Sequence, residues 1–389
     1  MSRLSTLSAL LGTAIRQPRT FAHLLAKKVR FRQRYSWVSQ SHAATTDVPA
    51  PLVLKFLLTY RCNLRCKKCM LWGQSGWQSQ PVDETSNEEL DFALLARVLR
   101  DEASLRPSLI FSGGEPFLYS RVADLLTLLK DLRLHATFCT NGTRLAPVEA
   151  QLVGHPFVSL LVSLDGPQAV NDDLRGIGVY KTVTESIKRL KSRAEPPYVG
   201  VQFTVRSENL GSMFQFCERM VDLGVDWILL NPPWFVTEQE AAGYATFVDR
   251  QFHTTAHSQT GYQGPCELDP AVFCRELARL RAKPWPIQIS CYFKGPDEIW
   301  DYANSPGRPP GNDFCYKQWL RMDVLPSGHV TPCAQFPDIK LGDLKRQTMA
   351  EIWNGQDYAR FRQNLKTGLL PVCAKCNALY LYDAGRSLL

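Results

Sequence analysis

The 389-residue sequence lacks any apolar run of the roughly 18 residues that mark a membrane-spanning helix. No compact apolar stretch with a small-residue cleavage site opens the chain, so no export signal is expected. Internal repeats and long low-complexity tracts are also missing. Together these absences point to a cytoplasmic chain. Acidic residues are absent from residues 1–46, which carry eight Lys or Arg. The formal net charge is +8. The excess therefore belongs to one segment, and a globally basic, nucleic-acid-binding surface is excluded.

The basic segment divides at Pro18. Leu4, Leu7, Leu10, Leu11, Ala14 and Ile15 recur at helical spacing, and Phe21, Leu24, Leu25, Val29 and Phe31 alternate with Lys27, Lys28, Arg30, Arg32 and Arg34. Residues 1–46 can lie peripherally on an anionic membrane surface or pack on the protein's own domain. An organellar transit peptide would share this composition. Residues 43–51 read as a linker.

Cysteine is abundant, at twelve residues. A disulfide framework is a poor reading for a chain with no export signal. Seven cysteines fall in patterned groups: Cys62, Cys66 and Cys69, then Cys315, Cys333, Cys373 and Cys376. Cys139, Cys217, Cys266, Cys274 and Cys291 are scattered and read as small buried residues.

From Pro51 onward, short apolar runs alternate with amphipathic stretches. Strands are expected at Val53–Leu58, Ser108–Phe111, Ala136–Cys139, Val158–Ser163, Gly200–Val205 and Trp227–Leu230. Helices separate them, which implies a parallel sheet curled as a partial (β/α)6 TIM-like barrel of α/β class. Chemistry in such folds sits at the C-terminal ends of strands. The expected division is a segment 1–50, a barrel 51–231, a pocket-shaping insert 232–310 and a small domain 311–389. The insert breaks the alternation, with a helix near 270–282. Its aromatics Trp234, Phe235, Tyr244, Trp285, Tyr292 and Phe293 can line a pocket or fill a core.

Cys62-x3-Cys66-x2-Cys69 follows the first strand. Three thiolates on a tight loop can hold three irons of a cubane and leave the fourth open. Ser112-Gly113-Gly114-Glu115-Pro116 follows the second strand, Thr140-Asn141-Gly142 the third, and Ser163-Leu164-Asp165-Gly166-Pro167 the fourth. With these segments the chain resembles the radical S-adenosylmethionine (SAM) superfamily. The resemblance implies a [4Fe–4S] cluster at the triad and SAM bound to its open iron. It implies that Gly113, Gly114, Glu115 and Pro116 meet SAM's amino group. It also implies that Asn141, Ser163 and Asp165 line the SAM pocket, and that Arg175 pairs with SAM's carboxylate. Two positions depart from the family's pattern. Lys68 stands where an aromatic often covers the adenine, and Asn171 stands where histidine is frequent.

Cys315-x17-Cys333 and Cys373-x2-Cys376 bracket Leu341-Gly342-Asp343-Leu344 and Glu351-Ile352-Trp353-Asn354. These features resemble the SPASM extension, or its shortened form Twitch, which binds auxiliary clusters. The implied cofactor is a second [4Fe–4S] cluster, closed by four cysteines and suited to moving an electron. Four cysteines at this spacing can also hold structural zinc.

The expected function is a radical SAM oxidoreductase. It cleaves SAM reductively to a 5′-deoxyadenosyl radical and abstracts a substrate hydrogen. The auxiliary cluster then completes a two-electron oxidation of a polyol, sugar or lipid-linked alcohol. A flavodoxin or ferredoxin-type donor is the implied partner. Modification of a ribosomally made peptide is the enzymatic alternative. A SAM-binding iron–sulfur electron carrier is the alternative from another class.

Overall fold

The computed structural model of the chain describes residues 12–15, 17–78, 88–293, 295–305, 307 and 313–381. The helical spacing read over Leu4–Leu11 lies outside the described residues.

From Pro51 onward each expected strand forms, and the amphipathic stretches between these strands form helices. The strands are β1 (Val53–Thr59), β2 (Ser108–Gly113), β3 (Ala136–Thr140), β4 (Val158–Ser163), β5 (Tyr198–Thr204) and β6 (Trp227–Asn231). They pair in parallel and in chain order. α1 (Pro18–Gln40) precedes them. α2 (Phe92–Glu102), α3 (Val122–Leu132), α4 (Glu149–Leu152), α5 (Gln168–Arg175), α6 (Val179–Lys191) and α7 (Met213–Asp222) fill the crossovers. α2 starts where Asp91 accepts the Leu94 N–H at 2.7 Å, a cap worth about 1 kcal/mol.

The register aligns Phe56, Phe111 and Phe138 across three strands. All three have no exposed surface, and successive rings lie 5.7 and 4.9 Å apart. Burying each ring contributes roughly 2–3 kcal/mol, so this row fixes the register of the sheet.

The alternation does not stop at residue 231. α8 (Glu238–Phe252), α9 (Pro270–Ala282), β7 (Gln288–Cys291) and α10 (Pro296–Asn304) follow, and β7 pairs in parallel with β6. α8 begins at a capping box, with Thr237 and Glu240 bonded reciprocally. On the opposite edge, β8 (Arg321–Val324) pairs in parallel with β1. β9 (His329–Thr331) and β10 (Gly342–Asp343) extend it antiparallel. α11 (Met349–Trp353), α12 (Gln356–Thr367) and α13 (Ala378–Leu381) complete the C-terminal region. The expected α/β partial barrel is present. It gains a parallel strand at each side, and its sheet runs on into the cysteine-bearing C-terminal region.

α1 packs against this domain. Its Phe31 and Tyr35 are buried with Leu52, Val53 and Leu320. Arg34 donates to the carbonyls of Trp319 at 2.6 Å and Ala50 at 2.8 Å. Its outer face leaves Leu25 and Val29 exposed. Among the described residues no helix is long and apolar enough to cross a membrane.

Candidate active site

The loop after β1 carries Cys62, Cys66 and Cys69, all free and half-buried. Backbone N–H groups already point at two of the sulfurs: Leu64 at 3.4 Å from Cys62 and Trp72 at 3.5 Å from Cys69. The Asn141 amide lies 3.8 Å from the Cys62 sulfur. Such donors favour thiolate, the form that binds iron. Burial opposes it and pushes the Cys62 thiol up to about 11 and the Cys66 thiol up as well. Loading iron must therefore release protons.

The Gly-Gly-Glu-Pro turn is built against this loop. A Cβ on Gly113, at φ +130°, would lie 2.2 Å from the Thr59 carbonyl, and one on Gly114 would lie 2.2 Å from that of Arg61. Only glycine lets the two segments approach so closely. Glu115 turns inward and has no exposed surface. Its carboxylate accepts from Thr140 Oγ1 at 2.7 Å, Asn141 N at 2.7 Å and Phe117 N at 3.0 Å. Burial raises its pKa against these bonds. Glu115 thus staples the end of β2 to the end of β3, and the turn's backbone is left for a ligand.

Asp165 and Arg175 meet as an ion pair at 2.7 Å, with little exposure on either side chain. Asp165 also accepts from Thr204 N at 2.8 Å. The Arg175 Nε–H is buried without a partner, so one edge of the guanidinium is still available to a carboxylate. Ser163 ends β4 beside Gln202. Pro116 opens the short helical turn after Glu115. The expected site residues therefore converge on one end of the sheet. Glu115 joins Asn141, Asn141 reaches Cys62, and the Arg175 carbonyl lies 3.9 Å from the Cys66 sulfur.

Two supporting residues were given no role by the sequence, although Asn171 stood out as a departure from the family's pattern. Asn171, fully buried, accepts the Asp165 N–H at 2.9 Å. Asn209 donates to the carbonyls of Asp165 at 3.0 Å and Thr204 at 2.8 Å. Both hold the loop that presents Asp165.

A cavity of about 740 Å³ opens beside the triad. Lys67, Lys68, Cys69 and Met70 form one wall and Arg206, Trp234, Phe235 and Tyr262 others. Gln335 and Asn377 also line it. Lys68, at the position where an aromatic residue is frequent, is bonded to both oxygens of Glu267 at 3.0 and 3.1 Å. Of the insert's aromatics, Trp234 and Phe235 line this cavity, while Tyr244, Trp285 and Phe293 belong to the core.

The four C-terminal cysteines line one small cavity of about 30 Å³ with Tyr244, Phe336, Leu370 and Val372. Burial and the neighbouring sulfurs push the Cys373 and Cys376 thiols well up. Among the described residues, no three His, Cys, Asp or Glu side chains gather tightly enough for a single metal ion. Four thiolates can close a cubane cluster or hold tetrahedral zinc, and the donor set permits both.

A half-open cysteine triad at the strand ends, backed by a closed cysteine quartet, defines an iron–sulfur barrel enzyme. The comparisons agree. The radical SAM superfamily signature covers residues 56–220, and an iron–sulfur cluster-binding domain, SPASM, covers 315–377. The pre-heme d1 synthase of Dinoroseobacter shibae is 32% identical over 328 residues, 79% of this chain and 74% of that one. The AdoMet-dependent heme synthase of Methanosarcina barkeri is 27% identical over 343 residues, 85% of this chain and 92% of that one. Streptococcus suis SuiB, solved with S-adenosylmethionine, superposes with a TM-score of 0.60 at 14% identity, over 80% of this chain and 68% of that one. The chain belongs to the radical SAM superfamily, in its SPASM-bearing branch. Its cofactors are accordingly a SAM-binding [4Fe–4S] cluster, SAM and an auxiliary iron–sulfur cluster.

Proposed function

We propose that the protein is a radical SAM oxidoreductase that removes two electrons from a small organic substrate. One observation carries this reading: the 740 Å³ cavity is lined by Cys69 and shares Gln335 and Asn377 with a second cavity, which is lined by Cys333 and Cys376. Asn377 is next in sequence to Cys376, and Gln335 is two residues from Cys333.

In this reading Cys62, Cys66 and Cys69 hold the first cluster, and Cys315, Cys333, Cys373 and Cys376 hold the second. When bound, the first cluster with SAM supplies a hydrogen-abstracting radical, and the second supplies an acceptor for the substrate's remaining electron. The chain's own residues position and enclose. The backbone at Gly113, Gly114 and Pro116, with Asn141 and Ser163, shapes the SAM pocket. Arg175, steadied by Asp165, offers its unpartnered Nε–H to SAM's carboxylate. Trp234, Phe235 and Tyr262 keep water from the reacting face. Glu267 is the one carboxylate among the cavity's described lining residues. It is placed to take the proton that the oxidised substrate loses.

Arg65 and Lys67, exposed beside the triad, suit an acidic one-electron donor of flavodoxin or ferredoxin type. Leu25 and Val29, one turn apart on α1 with exposed Arg32 nearby, suit a peripheral contact with an anionic membrane surface.

The relatives' names favour a small molecule: two of those named here are tetrapyrrole synthases. Others are peptide maturases, including the sporulation killing factor maturation protein SkfB of Bacillus subtilis. The test is anaerobic turnover with SAM and dithionite, offering coproporphyrin III, a sugar alcohol and a short peptide separately. Product lighter by two hydrogens, formed one-for-one with 5′-deoxyadenosine from a small molecule, supports the proposal. Turnover of the peptide alone moves the assignment to a maturase. SAM regenerated in each cycle, with no net 5′-deoxyadenosine, rules out oxidation.

A further inference from the structure

A second cavity, of about 230 Å³, shares part of its lining with the first and includes Cys333 and Cys376 among its lining residues. Strand residues Ile110, Leu161 and Leu229 give it apolar walls, and α1 lends Thr20, His23 and Lys27. Lys55, Lys317 and Arg321 also line it. The nearby carboxylate, Asp323, is fully buried and already shared: Arg321 grips it at 2.6 and 2.9 Å and Lys317 at 3.0 Å. Lys27 lies over the Phe31 ring at 5.6 Å. Among the described residues neither Lys27 nor Lys55 has an ion-pair or hydrogen-bond partner.

A further donor is left unanswered in the same space. The Trp227 indole N–H is buried with no acceptor. Its ring lies inside the lumen because Gly200 has no side chain; a Cβ there would stand 2.0 Å from Trp227 Nε1. Enclosed cations and donors with nothing to answer them are costly. Polar groups converging on an apolar pocket mark a ligand site.

We propose that the barrel lumen binds an amphiphilic oxyanion, a carboxylate or phosphate on an apolar body, with its charged end held by Lys55 and Lys27. The site is defined by binding and stands whether or not the oxidative reading above holds. Gln202, Trp234, Gln335 and Asn377 line both cavities. A molecule seated here therefore extends toward the reactive space.

The test is calorimetric titration of the full, anaerobically reconstituted chain with SAM present, using decanoate, decyl phosphate, decanol and inorganic phosphate as probes. Decanoate or decyl phosphate is expected to bind at least tenfold more tightly than decanol and than inorganic phosphate. Which of the two binds better distinguishes a carboxylate from a phosphate ligand. Lys55→Met is expected to weaken binding at least tenfold while leaving the melting temperature unchanged or raised, because it removes an unanswered buried charge. Lys27→Met, on a different element, should weaken it several-fold. Quenching of Trp227 emission on binding, lost in Trp227→Phe, gives a second readout. The proposal is overturned if decanol or inorganic phosphate binds as well as the amphiphilic anions, if both lysine variants bind like the parent, or if SAM abolishes binding.

Discussion

The two cysteine sites are built on opposite plans. The first sits on an irregular loop at the strand ends, with half-buried sulfurs, backbone and amide donors beside them, and a wide polar cavity in front. The second is enclosed by Tyr244, Phe336, Leu370 and Val372, its four sulfurs held by short turns in different parts of the C-terminal region. An open triad can admit a ligand to its metal, whereas a closed quartet cannot. The contrast leaves an open metal position at the first site and none at the second.

The comparison can be broken most directly at the sulfurs. Cys66→Ala is expected to abolish 5′-deoxyadenosine formation, by roughly a thousandfold or more, and to lower iron from about eight to about four per chain. Cys376→Ala should lose the same amount of iron but keep 5′-deoxyadenosine formation within about tenfold while substrate oxidation stops. Equal loss of SAM cleavage in both variants would erase the distinction.

Smaller effects sharpen it. Glu115→Gln replaces one acceptor oxygen with a donor opposite the N–H of Asn141 or the hydroxyl of Thr140. A cost of roughly 2 kcal/mol is expected for the unsatisfied buried pair. SAM affinity should weaken about tenfold in equilibrium dialysis, with the C-terminal cluster's EPR signal unchanged. Glu267→Gln should lower oxidation about tenfold without altering SAM binding in equilibrium dialysis. The smallest effect belongs to Lys27, whose pKa burial and Arg321 lower to about 8. The unfolded chain keeps its ordinary, higher value and binds more protons between about pH 8 and 10. Stability in the ligand-free protein should rise by a degree or two across that window. Lys27→Met should flatten the rise.

Much of this was legible in the sequence, for physical reasons. Strands buried on both faces read as apolar runs, and the cysteine spacings survive any change in packing. What escaped notice follows from the lumen. Gln288-Ile289-Ser290-Cys291 is a short strand with polar residues among its apolar ones, and it lacks the continuous run that marked the others. Arg321-Met322-Asp323-Val324 hides two charges that neutralise each other on folding. Neither was among the six strands expected from the sequence. The inward role of Glu115 depends on Thr140 and Asn141, some 25 residues away, and no local pattern announces such a bond. The helix opened by the capping box at Thr237 and Glu240 lies in the stretch expected to break the alternation.

Pairing β8 with β1 also sets a timetable for synthesis. β1 is among the first strands to emerge from the ribosome, and the strand that covers its outer edge is among the last. Until Arg321–Val324 arrive, the row from Val53 to Phe56 offers bare backbone groups to any passing strand. The nascent barrel therefore waits, nearly complete, with one sticky side. A truncation just before residue 321 would leave that side permanently exposed, and aggregation would be its visible result.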